Sequence, residues 1–584
     1  MPHWTALVAG KKQRQLKSIP QHWLVTPPPV STLDVTSFPE TCGLLNAREI
    51  EITNTSVDVL LERLASAEWT AVEVTTAFSK RAIVGHQLVN CLTEIFVDRA
   101  LARAAELDDY LKKTGKVVGP LHGLPISLKD QLSIKGLETT IGYVSWIGQY
   151  ADKNAVLVDV LIECGAVPFV RTNVPQTVMW PETFNNIFGR TTNPYNRSLT
   201  PGGSSGGESA LVSIRGSPLG VGSDIGGSIR VPAAFCGLYS LRPSYGRVPY
   251  CGARNSLEGQ DSILSVFGPI TTSVGGVKVF MKAVIDTKPW LRDPLVVRKK
   301  WDGDEYNLSD HGSGKDLCFA IMWDDGLVVP HPPIRRSLEI TKAALQKAGH
   351  KVVDWKPIKH RLLLQIATDI FTAASVEDVM ITTSVTGEPI IATMELDDAG
   401  FRPQNSGITA YQLWQVQKLR QNIRKEYLDH WEATASETGT GRPVDAIICP
   451  VAASAAPPMG KIGHYTNYTT VWNALDYPAT TFPVTTVNPT LDGKEPPHDF
   501  YDDFDKDIYE MYDPEKFRNA PVCLQLVGRT LEEEAVIKMT EIVDAALAAC
   551  QINSRYSCRC RKQSYKSTTW PWQYKEFEIH NFTS

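Results

Sequence analysis

No run of about 18 apolar residues occurs in this 584-residue chain, so no segment of it reads as a bilayer span. The N-terminus, MPHWTALVAGKKQRQLKSIP, has only a five-residue apolar stretch before KKQRQLK. That falls short of the apolar region and cleavage site of a secretory signal. An excess of one charge sign is also missing: 59 Lys plus Arg stand against 64 Asp plus Glu, a net charge of −5. This balance is too mild and too mixed for a nucleic-acid groove or an anionic membrane surface. The 12 histidines never fall at an H-x3-5-H spacing, and the only close cysteine pair is Cys558 and Cys560, so no metal site is expected. The 11 cysteines lack framework spacing and read as reduced, mostly packed thiols. These absences leave a cytosolic enzyme acting on a small molecule, with no nucleic-acid or membrane partner.

With 43% apolar and 21% charged residues the chain has the composition of a globular protein with a large core. Residues 1–50 are rich in proline and polar groups and read as an irregular or partly helical arm laid over the body. Thr55 with Asp58 and Thr70 with Glu73 have capping-box spacing, and Val57, Leu60, Leu61 and Leu64 recur at helical period. A helical block is therefore expected over about 55–112, ending at the Gly115 turn. From 116 the pattern turns α/β: AVLVDVLIECGAVPFVRT reads as a helix, a stop at Gly165, then a strand. PVDAIICP and APVCLQLV repeat the strand signal late in the chain, and residues 285–440 read as helices and polar loops. Alternation of this kind predicts a central sheet covered by helices, with both ends of the chain in one sheet. Residues 551–584 are basic and aromatic without helical or strand period, and read as an appendage to a single domain spanning 1–550.

The densest chemical signal is PGGSSGGESALVSIRGSPLGVGSDIGGSIR at 201–230, where Ser204 and Ser228 stand 24 positions apart among glycines and no histidine is near. Glycine lets backbone N–H groups approach a bound anion closely. A phosphate cradle fails, because neither segment ends in GK[ST] and Ile225 occupies the third glycine position of GxGxxG. A nucleophile elbow is matched by Gly202, Ser204 and Gly206, with His331 or His360 nominally available, but the polar loop NPYNRSLTP stands where the motif needs a buried strand. The third reading joins both serine segments to Lys129 of GPLHGLPISLKDQ, 75 residues before Ser204. On its own, Lys129 would read as an exposed strand-end lysine paired with Asp130. His122, in a glycine and proline turn, reads as structural.

This ordered set, Lys129 in LPISLKD, then PGGSSGGES, then GSDIGGSIRVPAAFCGLYSLRPS, resembles the amidase signature family. VGPLHGLPISLKDQL, PQTVMWPETFNNIFGRTTNP and the HPPI of 331–334 extend the resemblance to fungal acetamidase-type amidases over most of 1–550. It implies an α/β fold with a central mixed, twisted sheet covered by helices on both faces. It also implies Ser228 as nucleophile, Ser204 as a bridging serine on a cis peptide, and Lys129 as the base. The backbone N–H groups of Ile225, Gly226, Gly227 and Ser228 would form the oxyanion hole, with Ser205, Asp224 and Arg230 in support and Met179 and Trp180 in the pocket wall. Lys129 must then be neutral, and Ile126 and Leu128 mark an apolar strand that would desolvate its ammonium form. The implied substrate is a small carboxylic amide such as acetamide, no cofactor is needed, and a homodimer is compatible with the family. Two alternatives remain: a subunit that delivers ammonia to a partner, and a catalytically silent homologue. Ser209 departs from the family's usual glycine, at a position remote from the nucleophile.

Overall fold

The computed structural model describes residues 3–374, 377–391, 407–461 and 466–562. Thirteen strands are present among them: β1 (Leu92–Ile95), β2 (Pro125–Lys129), β3 (Val167–Thr172), β4 (Phe184–Asn185), β5 (Gly189–Arg190), β6 (Leu219–Asp224), β7 (Tyr239–Arg242), β8 (Val266–Thr271), β9 (Cys318–Ile321), β10 (Lys351–Asp354), β11 (Ala446–Pro450), β12 (Ala479–Thr486) and β13 (Pro521–Val527). All but the β4–β5 hairpin join one sheet in the order β1-β3-β2-β6-β8-β7-β12-β13-β11-β9-β10. The sheet is mixed: β2 runs parallel to β3 and β6, whereas β8, β7, β12 and β13 pair antiparallel.

The central strands β2, β6, β8 and β13 are buried at every residue, which requires helices on both faces. One apolar cluster gathers around Leu128, Phe169, Phe267 and Leu524, and a second around Trp355, Tyr427, Trp431 and Trp472. Strands from both ends of the chain share the sheet, β2 at one end and β13 at the other. The N-terminal helix Trp4–Lys17 is tied to this body through the buried Lys11, paired with Glu94 and Glu138, and through Arg14, 2.9 Å from Glu138. No helix of the described residues is long and apolar enough to cross a membrane.

Three local expectations are corrected. The helical block expected over 55–112 is broken by β1, a four-residue strand pairing antiparallel with β3 and too short to disturb the surrounding period. Thr55 does not open a helix; it closes the helix Ala47–Asn54, whose capping box is Asn46 with Glu49, and Ser56 begins the next one. The stretch 285–440 contributes β9 and β10 as well as helices, and their four-residue lengths carry too little pattern to stand out. At the other boundary the last helix, Glu533–Lys562, carries the chain past residue 550. The remainder of the 551–584 appendage lies outside the described residues.

The topology brings two strand ends together. β2 and β6 are parallel neighbours, with Ser127 opposite Gly220 and Leu128 opposite Val221, so Lys129 and the loop after Asp224 emerge side by side. In open α/β sheets this carboxyl edge is where ligands bind. The helix Gly206–Ser213 lies against the same strands closely enough that a Cβ on Gly220 would sit 2.1 Å from Glu208 Oε2.

Candidate active site

Lys129 is fully buried at the end of β2, and its Nζ donates to Ser204 Oγ at 2.6 Å and to Ser223 Oγ at 2.8 Å. Burial pushes its ammonium down to about 7, against the opposing pull of Asp224 and Glu208. Asp130 is not its ion-pair partner, because it pairs with Arg171 at 2.7 Å and accepts from Thr140 at 2.8 Å. Glu208 is also fully buried, accepting from Ser127 at 2.6 Å and Thr172 at 2.8 Å. Burial raises its carboxyl to about 8 despite those bonds and the nearby lysine. A protonated Glu208 adds no negative charge beside Lys129, which leaves Asp224 as the anion that burial of the ammonium must outweigh.

Ser204 follows a cis peptide bond from Gly203 and is itself buried. Ser205 stitches the two serine segments together: its N–H donates to the Ser228 carbonyl at 3.2 Å, and its Oγ accepts from the Ser223 N–H at 3.2 Å. Ser228 lines a cavity and is only partly buried. Its hydroxyl makes no hydrogen bond among the described residues. Ser228 is thus open to the cavity, whereas Ser204 and Lys129 are buried.

The loop carrying Ser228 is anchored by Asp224 and Arg230, both fully buried. Arg230 grips Asp224 through Nε at 3.0 Å and a terminal nitrogen at 3.1 Å, and Asn473 donates to the same carboxylate at 2.9 Å. Burial alone would raise the Asp224 carboxyl, but the Arg230 guanidinium and the Asn473 bond hold it down to about 2. Asp224 is therefore a permanent anion that organises backbone donors, accepting from the N–H groups of Gly227 at 2.8 Å and Ile229 at 3.2 Å. Replacing Arg230 by methionine strands this charge, and an equilibrium urea titration is expected to show a loss of about 3–5 kcal/mol in unfolding free energy.

One part of the expected oxyanion hole differs. The Gly227 N–H is given to Asp224, whereas those of Ile225, Gly226 and Ser228 have no acceptor among the described residues. All three of these residues line the cavity. Gly227 has another function: its φ is +139°, and a Cβ there would lie 2.2 Å from Thr469 Oγ1 and 3.1 Å from Val231 Cγ2. Gly227→Ala is accordingly expected to displace the loop and cost about 10²-fold or more in kcat, the scale of a lost oxyanion donor, in steady-state assays.

The cavity holds about 100 Å³. Met179 and Trp180 stand in its wall, where the sequence motif suggested pocket. They follow Thr177 and Val178, whose φ values of 74° and 55° are unusual for β-branched residues. That backbone is held by Thr177 N–H to the Ile141 carbonyl at 3.1 Å and by Ser256 Oγ to the Thr177 carbonyl at 2.8 Å. Leu364, Ala367 and Phe371 of the helix His360–Phe371 also line the cavity, as does Thr470. These residues escape a sequence reading because helical periodicity reports a buried face without saying what it faces. Ser223 and Glu208 escape it for a related reason: the β2–β6 pairing brings Ser223 to Lys129, and the helix Gly206–Ser213 brings Glu208 to the same strands.

The three histidines weighed in the sequence are occupied elsewhere. His122 Nδ1 accepts from the Val118 N–H, His331 Nε2 lies 2.7 Å from the Ile508 carbonyl, and His360 Nε2 lies 3.1 Å from Tyr427 Oη.

A family model described as Amidase matches residues 73–537. An acetamidase of Aspergillus oryzae is 44% identical over 545 residues, covering 93% of this chain and 99% of that protein. An acetamidase of Emericella nidulans is likewise 44% identical, covering 93% of this chain and 98% of that protein. Among solved structures a fatty acid amide hydrolase superposes with a TM-score of 0.87 at 33% identity, covering 94% of this chain and 95% of that one.

Proposed function

This chain belongs to the amidase signature family and is a hydrolase of amide C–N bonds; we propose that it splits small carboxylic amides of the acetamide type through an acyl-enzyme on Ser228. The observation that carries this reading is the buried Lys129, bonded at 2.6 Å to Ser204, whose chain neighbour Gly203 lines the same cavity as Ser228.

In the neutral state Lys129 Nζ offers a lone pair to the Ser204 hydroxyl. As Ser228 Oγ attacks the amide carbonyl carbon, Ser204 takes the Ser228 proton and passes its own to Lys129. The carbonyl π pair moves onto oxygen, where the N–H groups of Ile225, Gly226 and Ser228 receive it. When that pair returns, the C–N bond breaks and the leaving nitrogen collects a proton from Ser204, which Lys129 replenishes. Ammonia departs, and water repeats the cycle on the ester to release the carboxylate.

The cavity supports a small substrate. An engineered apolar cavity of about 150 Å³ accommodates benzene, so the 100 Å³ next to Ser228 suits a short acyl group better than an aryl or long alkyl one. Similarity to proteins named acetamidase supports the same class. The test is an ammonia-release panel on purified protein: acetamide and propionamide should turn over with higher kcat/KM than benzamide or a long-chain amide. A preference for the long chain would contradict the size argument. Glutamine as the preferred donor, with co-purifying subunits, would instead favour an ammonia-delivering role.

A further inference from the structure

The Gly226–Gly227 peptide unit is the weak point of the proposed oxyanion hole, because glycine stands on both sides of it. With no Cβ to restrict φ and ψ, such a unit rotates easily between orientations. Rotation would turn the Gly226 carbonyl into the cavity and put an acceptor where the developing oxyanion needs donors.

The structure holds this unit at both ends. A trans peptide is planar and points its C=O and N–H in opposite directions. Here the N–H side donates to Asp224 Oδ1 at 2.8 Å, while the Gly226 carbonyl accepts from Thr469 Oγ1 at 2.6 Å and from Thr470 Oγ1 at 3.0 Å. Thr469 has the Thr466 carbonyl at 2.9 Å as a second acceptor, but Gly226 is nearer. Thr470 spends its one hydroxyl proton on Gly226, so the 2.8 Å contact with Thr466 Oγ1 must be a bond that Thr466 donates, which directs the Thr470 proton at the loop. The Thr469 hydroxyl also occupies the space that a side chain on residue 227 would fill, 2.2 Å from the missing Cβ.

We propose that Thr469 and Thr470, on the helix Asn467–Leu475, are positioning residues for the reaction: their hydroxyls hold the Gly226 carbonyl away from the cavity, so that the adjoining N–H groups of Gly226 and Ser228 face the oxyanion. The inference rests on the amide-hydrolysis reading above, since it assigns these threonines to the transition state of that reaction. They bear on charge developing at the carbonyl oxygen and leave the Lys129 relay alone.

The experiment is Thr469→Val with Thr470→Val, which keeps side-chain shape and deletes both donors, compared with the double Ser replacement, which keeps them. The valine form should lose about 10²-fold in kcat with KM changed less than about threefold, as expected for a contact made in the transition state. Its inhibition constant for a short alkyl boronic acid, which forms a tetrahedral adduct on serine, should rise in step. The acid limb of its pH–rate profile should stay in place, and the serine form should recover activity to within about threefold. If the double valine form fails to fold by thermal melting, Thr470→Val alone should show the same pattern with a smaller loss. A valine form with wild-type kcat, or equal losses in the serine and valine forms, would overturn the clamp. Ser228→Ala run in parallel separates the two levels: if it is dead while the valine form is fully active, the clamp alone has failed, and if it keeps full activity the amide-hydrolysis reading itself has failed.

Discussion

Ser228→Ala is expected to reduce ammonia release from acetamide by about 10⁴-fold or more, with the protein folded and its melting temperature nearly unchanged. The size follows from the role: an amide carbonyl does not yield to water at neutral pH, and deleting a serine nucleophile elsewhere costs about 10⁶-fold in kcat. The Ser228 hydroxyl makes no hydrogen bond among the described residues and lines the cavity, so its removal leaves no buried polar atom stranded and stability should barely change. Ser204→Ala should be severe but milder, because a water in its place could still pass a proton. Full activity in Ser228→Ala would remove the nucleophile from the account.

Lys129 gives the second large effect, and its sign can be worked out. Its folded-state value near 7 lies below the ordinary 10.5 because burial disfavours the ammonium form. The base works only when deprotonated, so kcat/KM for the wild type should rise with pH through a midpoint near 7 and level off above it. Lys129→Met should lose about 10³-fold or more and lose that limb as well. Stability also rises with pH, over a higher window. Between about pH 7 and 10.5 the unfolded chain binds a proton that the folded chain does not, so wild-type stability rises with pH across this window. Methionine carries no such penalty. Lys129→Met should therefore melt higher than wild type at neutral pH, with the gap largest at and below pH 7 and shrinking toward pH 10.5. A variant equally destabilised at every pH would mean that Lys129 is held charged by the fold.

The pieces legible in the sequence are those whose chemistry is local. Gly226, Gly227 and Ser228 sit in one hexapeptide with Asp224, and GGSSGG and SLKD are as compact, so the residues of the proposed relay could be singled out before any geometry. The sheet was legible where strands are long and buried on both faces, as in PVCLQLV, which becomes β13. It was not legible in LTEI or CFAI, where four residues fit either a helix turn or a strand. Site residues contributed by packing were also hidden. Thr469 and Thr470 lie more than 200 positions beyond Gly226, and nothing in NYTTVWNAL says that two hydroxyls will meet a glycine carbonyl. Leu364, Ala367 and Phe371 show only a helical apolar stripe, and the cavity across from it depends on a tertiary arrangement that periodicity does not encode. The Gly227 N–H was assigned to the oxyanion hole by resemblance, and the bond to Asp224 became visible only once the loop had a shape.

The most direct test of the account is acid-quenched turnover of acetamide followed by peptide mapping. An acetyl group on the peptide that contains Ser228, absent from Ser228→Ala and accumulating when deacylation is slowed, is the predicted result. Acetyl on a different residue, or steady turnover at full rate with no covalent adduct under any quench, would contradict it.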